Sequence, residues 1–153
     1  MKVVICSGFM NPTTGGHIDY LSEAALLGDY MVVIVNNDNQ VKIKGSVPFM
    51  NEDQRCKIVQ AIKGVDLAVI AKDEDGTVVK SIELIHAECQ KESDILEVIF
   101  AKGGDRTLEN IPEADICNKL GIKMVFGVGG GKTESSSSLI SNAVSKVTQP
   151  SLN

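Results

Sequence analysis

"VVICSGFMNPTTGGHIDYL", residues 3–21, decides the fold. Four apolar residues run unbroken into a turn rich in glycine and small polar residues, and a helix-like stretch follows. A strand buried on both faces of a parallel sheet reads as such a continuous apolar run. Proline and paired glycines are the usual punctuation between elements. Strand, tight turn and helix together open an α/β domain. The turn also gathers Thr14, Gly15, Gly16 and His17, the last being one of only two histidines in the chain.

Further along, short β-branched runs alternate with amphipathic stretches. Strands are expected at Lys2–Cys6, Tyr30–Asn36, Asp66–Ala71, Leu96–Ala101 and Lys123–Phe126. Helices are expected at Gly16–Leu27, Glu52–Ile62, Val78–Cys89, Glu113–Leu120 and Ser137–Val147. Alternation of this kind predicts a Rossmann-like, doubly wound α/β fold: a five-stranded, mostly parallel sheet with helices on both faces. "MVVIV", residues 31–35, again has the continuous apolar character of a fully buried parallel strand. One domain over 1–147 and a polar tail over 148–153, "TQPSLN", account for the chain.

Composition bounds the function. With 153 residues, 43% of them hydrophobic and 23% charged, the chain can bury a full core. A net charge of −5 argues against a general nucleic-acid or membrane-surface binder, since both need a positive field. No apolar run nears the roughly 20 residues that span a bilayer, and the start lacks the shape of a signal peptide. Cys6, Cys56, Cys89 and Cys117 are scattered, with no CxxC pair and no histidine at metal spacing. They read as reduced thiols, and the expected location is cytoplasmic.

Ligands of doubly wound sheets sit beyond the carboxyl ends of the strands. The informative segments are therefore "SGFMNPTTGGH" (7–17), "NNDNQVKIKG" (36–45), "KGGDR" (102–106) and "GVGGGKTESSSS" (127–138). The second is read as a loop. Backbone amides, hydroxyls and lysines brought together there make a site for phosphate. The pattern points at a nucleotide. "GVGGGKT", 127–133, imitates a P-loop, but counting back from Gly131 leaves the loop one residue short. Only 20 residues follow Thr133, too few for the later strand and helix of that fold. The G-x-G-x-x-G dinucleotide fingerprint is also missing after the first strand.

Gly8-Phe9-Met10-Asn11-Pro12-Thr13-Thr14-Gly15-Gly16-His17 resembles the signature of the cytidylyltransferase-like nucleotidyltransferases with an HxGH or TxGH motif. Thr14 stands at the first histidine position, as in the phosphopantetheine adenylyltransferases. The resemblance runs from Val3 to about Val147, and the motifs occur in the family's order. It implies that His17 and Thr14 donate to the α-phosphate, and that Lys44 closes on the nucleotide phosphates. A glycine ahead of His17 would let phosphate approach the positive end of the helix. Gly8, Phe9, Met10 and Gly16 would line the nucleotide. Gly103, Gly104 and Asp105, in "FAKGGDR", resemble the "KGGD" of heptose-phosphate adenylyltransferases and would hold the nucleoside. Ser136, Ser137 and Ser138 match the hydroxyl residues that open the family's last helix and would hold the leaving pyrophosphate. Asp38 and Arg55 are candidates for the acceptor substrate, with bracing of the loop as Arg55's other reading.

The family also implies Mg²⁺, bound mainly through the nucleotide phosphates, and a homodimer. AMP transfer from ATP to a sugar- or polyol-phosphate is the favoured reaction, with pyrophosphate as the second product. The rival within the class is a cytidylyltransferase using CTP with glycerol 3-phosphate or a phosphonate. Against it, Lys132 is offset from that group's "R-T-x-G-I-S-T-T" arginine, and Lys63 stands where that group has an arginine. From another class, a non-catalytic nucleotide-binding module would keep the phosphate cradle and lack turnover. Without the motif, Thr14 would simply satisfy a turn and His17 cap the first helix. His86, within "SIELIHAECQ", reads as a structural or surface histidine.

Overall fold

A computed structural model of the chain describes residues 1–104 and 111–130. Within them lie five strands: β1 (Lys2–Gly8), β2 (Tyr30–Val35), β3 (Leu67–Ile70), β4 (Glu97–Gly103) and β5 (Lys123–Val128). They form one sheet in the order β3-β2-β1-β4-β5, every pair parallel. The chain builds outward from β1 to β3, then returns to the other side of β1 to lay down β4 and β5. The order therefore reverses between β1 and β4, and their carboxyl ends form the switch point.

Strand alternation sorts the core onto two faces. Val4, Cys6, Val33, Val35, Ile99 and Ala101 pack with Tyr20, Leu21 and Ala24 of α1 (Gly15–Ala24) and Val59 of α3 (Glu52–Gln60). Val3, Ile5, Val32, Ile34, Val98 and Phe100 pack on the opposite face with Ile82 and Cys89 of α4 (Val79–Gln90) and Ala114 and Cys117 of α5 (Ala114–Leu120). Both faces of β1 and β2 are thus covered, which is what their unbroken apolar runs require.

The expected elements fall within a few residues of those observed, with one correction. "NNDNQVKIKG" is not a loop: it contains a helix, α2 (Asp38–Ile43). Asn37 caps it by accepting from Gln40 N at 2.8 Å, and the Gln40 side chain accepts back from Asn37 N at 3.0 Å. An amide three residues after an Asn cap closes the same reciprocal pair as a Ser/Thr–Glu box. Six residues are too few to display a 3.6-residue period. The helix expected at Ser137–Val147, and with it the ends of both expected domains, lies outside the described residues.

Candidate functional site

The turn after β1 is built from inside out. Met10 adopts φ +50° and is 1% exposed, its side chain lying close beneath Gly8. A Cβ on Gly8 would stand 2.8 Å from the Met10 methyl, so a larger residue there would push the end of that side chain aside. With its side chain buried, Met10 can meet a ligand only through its backbone. Asn11, joined to Pro12 by a cis bond, donates to Val47 O at 2.9 Å and accepts from Phe49 N at 2.8 Å. That pins the segment between α2 and α3 onto the turn.

Thr14 then caps α1, accepting from His17 N at 3.4 Å. His17 Nδ1 accepts from Thr14 N at 2.9 Å and lies 3.2 Å from Thr14 Oγ1. The expected motif and the plain capping role are therefore one structure. Because Nδ1 takes the backbone N–H, the neutral imidazole carries its proton on Nε2. The ring is half-buried, and no acidic residue stands in the first turn of α1. Gly15 and Gly16 occupy that turn, leaving backbone without Cβ at the positive end of the helix. The start of α3 differs, with Glu52 and Asp53 in its first turn.

Lys44, the C-cap of α2, places its ammonium 4.4 Å from the centre of the Phe9 ring, a cation–π contact that joins the two loops. Arg55 is fully buried. It donates to Met50 O at 3.0 Å, to Phe9 O and Asn36 O at 2.7 Å each, and to Asp38 Oδ1 at 2.8 Å. Those four bonds knot the turn after β1, the end of β2 and the starts of α2 and α3. Asp38, for its part, gives its carboxylate to that ion pair and its N–H to Glu52 at 2.9 Å. The arrangement is the bracing alternative read for Arg55.

At the other side of the switch point, Gly103 closes β4 and Gly104 follows at φ +64°. A Cβ on Gly103 would meet the Tyr20 ring and Val128 O, each at 3.1 Å. Asp105 and Ser136–Ser138 lie outside the described residues. After β5, the Gly129 N–H donates to Glu23 of α1 at 2.8 Å. A carboxylate thus takes an amide that a P-loop would offer to phosphate.

The geometry singles out three further residues, two of which, Lys102 and Asn11, lie inside the motif segments of the sequence without being site candidates there. Lys102, late in β4, sends its ammonium to within 3.2 Å of Ser7 Oγ, putting a cation across the gap between β1 and β4. Tyr20 is buried in that gap; burial above all, and then the neighbouring Cys6, holds its hydroxyl well above the ordinary range, so it stays a protonated donor. Asn11 is the third. Each acts through partners distant in sequence, which a motif does not reveal. Among the described residues, no three His, Cys, Asp or Glu side chains lie where they could hold a metal ion. None of the described helices is long and apolar enough to cross a membrane.

The family model described as cytidylyltransferase-like matches residues 5–127. The chain belongs to the cytidylyltransferase-like family of nucleotidyltransferases. An FAD synthase of Ferroglobus placidus is 44% identical over 85 residues, 56% of this chain and 54% of that protein. An FAD synthase of Aciduliprofundum boonei is 32% identical over 124 residues, 81% of this chain and 75% of that one. The bifunctional protein HldE of Aliarcobacter butzleri is 33% identical over 134 residues, which are 86% of this chain and 25% of that larger protein. The chain thus spans about half of the Ferroglobus protein. Among solved structures, the lipopolysaccharide core biosynthesis protein of Thermoplasma volcanium superposes with a TM-score of 0.63 at 28% identity, covering 83% of this chain and 94% of that one. TmcAL of Thermotoga maritima shares the fold, with a TM-score of 0.66 at 13% identity over 95% of this chain and 51% of that one.

Proposed function

We propose that the protein transfers AMP from ATP to a small phosphorylated acceptor and releases pyrophosphate. The carrying observation is the Thr14–His17 box at the glycine-rich start of α1, beside the switch point. The FAD synthase relatives support ATP as donor and add flavin mononucleotide to the sugar phosphates as acceptor. The HldE relative supports a sugar phosphate.

In this reading an acceptor phosphate oxygen attacks the α-phosphorus in line, the new P–O bond forms as the bond to the β-phosphate oxygen breaks, and pyrophosphate departs. The protein supplies positioning and charge stabilisation, with no covalent intermediate on the chain. His17 Nε2–H and the first-turn amides of α1 donate to the α-phosphate as charge accumulates there. Thr14 fixes the imidazole tautomer and adds its hydroxyl. Lys44 moves from Phe9 onto the phosphates, and Lys102 lends its charge from the β4 side. Ser136, Ser137 and Ser138 would meet the leaving pyrophosphate, and Asp105 the ribose. The donor groups of the described site are ammoniums, an imidazole and N–H groups, which suit phosphate oxygens rather than a cation. Mg²⁺ accordingly arrives with the triphosphate as part of the substrate, held by phosphate oxygens and water.

A pyrophosphate-release assay with ATP or CTP tests this, each paired with flavin mononucleotide, a heptose phosphate or glycerol 3-phosphate in the presence of Mg²⁺. Release with ATP that depends on one acceptor is the expected outcome. Release with CTP alone would replace the donor, and no release from any pair would remove the activity.

A further inference from the structure

Hydrogen bonding between β1 and β4 stops one rung early, and Tyr20 is at the break. The two strands pair in register from Lys2 with Glu97 to Ile5 with Phe100. The rung that would come next in a parallel ladder of this register joins the Ser7 N–H to the Ala101 carbonyl. That bond is not made directly. Ser7 N donates instead to the Tyr20 hydroxyl at 3.3 Å, and the hydroxyl donates to Ala101 O at 2.5 Å. Two hydrogen bonds in series thus replace one, spreading the strand ends by up to about 3 Å, a hydrogen-bond length.

What lies around the break belongs to the cleft. Ser7, one strand residue before Gly8, accepts at its Oγ from Lys102 at 3.2 Å. The Tyr20 ring stands against Gly103, where a Cβ would sit tightly at 3.1 Å, and the Tyr20 backbone lies against Gly129 after β5. Tyr20 is also three residues after His17, on the same face of α1. Its anchorage between the strands fixes how α1 is rotated and how high it stands over their ends. Through one side chain, the helix carrying the imidazole is indexed to the strand ends that make the floor of the site.

We propose that Tyr20 is a positioning residue for nucleotidyl transfer: its hydroxyl is the wedge that holds the β1–β4 cleft open at the width the nucleotide needs. The inference rests on the adenylyl-transfer reading of the site. Tyr20 touches no reacting atom, so removing the hydroxyl weakens substrate and transition state together. That raises KM and leaves kcat nearly unchanged.

Tyr20→Phe keeps the buried ring and lets Ser7 N–H reach Ala101 directly. The expected result is a KM for ATP about tenfold higher with kcat within about threefold of the parent. Heteronuclear NMR supplies a readout independent of turnover. A coupling through the hydrogen bond from the Ser7 amide nitrogen to the Ala101 carbonyl carbon should be absent in the parent and present in Tyr20→Phe. An unchanged KM, or no Ser7–Ala101 coupling in the variant, would overturn the wedge. If the parent protein itself releases no pyrophosphate, the adenylyl-transfer reading fails, and the coupling still decides whether Tyr20 holds the strands apart.

Discussion

The chain closes two helices with the same reciprocal cap and uses them differently. At α2 the pair is Asn37 and Gln40, and nothing in it is left over. Gln40 is fully buried, accepts from Asn36 and Asn37, and donates to Asp75 O at 2.8 Å and Thr77 O at 2.7 Å. At α1 the pair is Thr14 and His17, where the ring that closes the cap is half-buried and still carries a proton on its far nitrogen. An amide gives a fixed joint. An imidazole gives a joint with a chemical face. The α2 cap belongs to the scaffold that Arg55 ties together, whereas the α1 cap stands over glycines at the strand ends.

That contrast breaks down if substitutions on the two sides behave alike. The largest loss of stability should come from Arg55→Leu, which strips four hydrogen bonds and leaves Asp38 without its partner. Losing a fully buried guanidinium and its partners costs on the order of 3 kcal/mol, with Asp38 itself only partly buried, to be read from urea unfolding as a lowered midpoint. His17→Ala should show the opposite profile. Turnover falls by about a hundredfold, near 3 kcal/mol of transition-state stabilisation, while the lost cap costs only about 1 kcal/mol of stability. Comparing its melting temperature with its rate separates the two. Gln40→Leu orphans the groups that Gln40 pairs, at about 1–3 kcal/mol of stability. Its turnover should stay near that of the parent once folded protein is counted.

A smaller effect concerns the floor of the site. Burial pushes the Cys6 thiol up to about 12, from 9.0. A raised value means the folded state holds the proton more tightly. This contribution is complete below pH 9 and is lost as pH climbs from there through about 12. Urea midpoints measured from about pH 8 to about pH 11 should fall, and fall less steeply in Cys6→Ala. Equal slopes would mean that the thiol titrates as it does in the unfolded chain.

Much of the fold was legible because β1 and β2 are buried on both faces, and such strands advertise themselves as "VVIC" and "MVVIV". The turn after β1 was legible for a related reason: Gly8 stands where a side chain would press on Met10, and the Gly15–Gly16 pair falls where α1 begins. What could not be read depends on partners far along the chain. Arg55 is surrounded by polar neighbours in sequence, and its burial follows only from contacts with Phe9, Asn36 and Asp38. Nothing in the sequence singles out Tyr20, whose place depends on Ser7 and Ala101 being brought to either side of its hydroxyl. The helix α2 hid because Asn and Asp signal turns as readily as caps, although Asn37 and Gln40 already stood at capping-box spacing.

Whether the His17 face of the first cap carries the chemistry can be read from the transfer itself. Transfer of α-labelled AMP from ATP to the acceptor, followed in the parent and in His17→Ala, tests it most directly. One pyrophosphate should appear for each labelled acceptor in the parent. In the variant the rate should be about a hundredfold lower with the fold intact. Transfer at the parent's rate by a folded His17→Ala protein would contradict it.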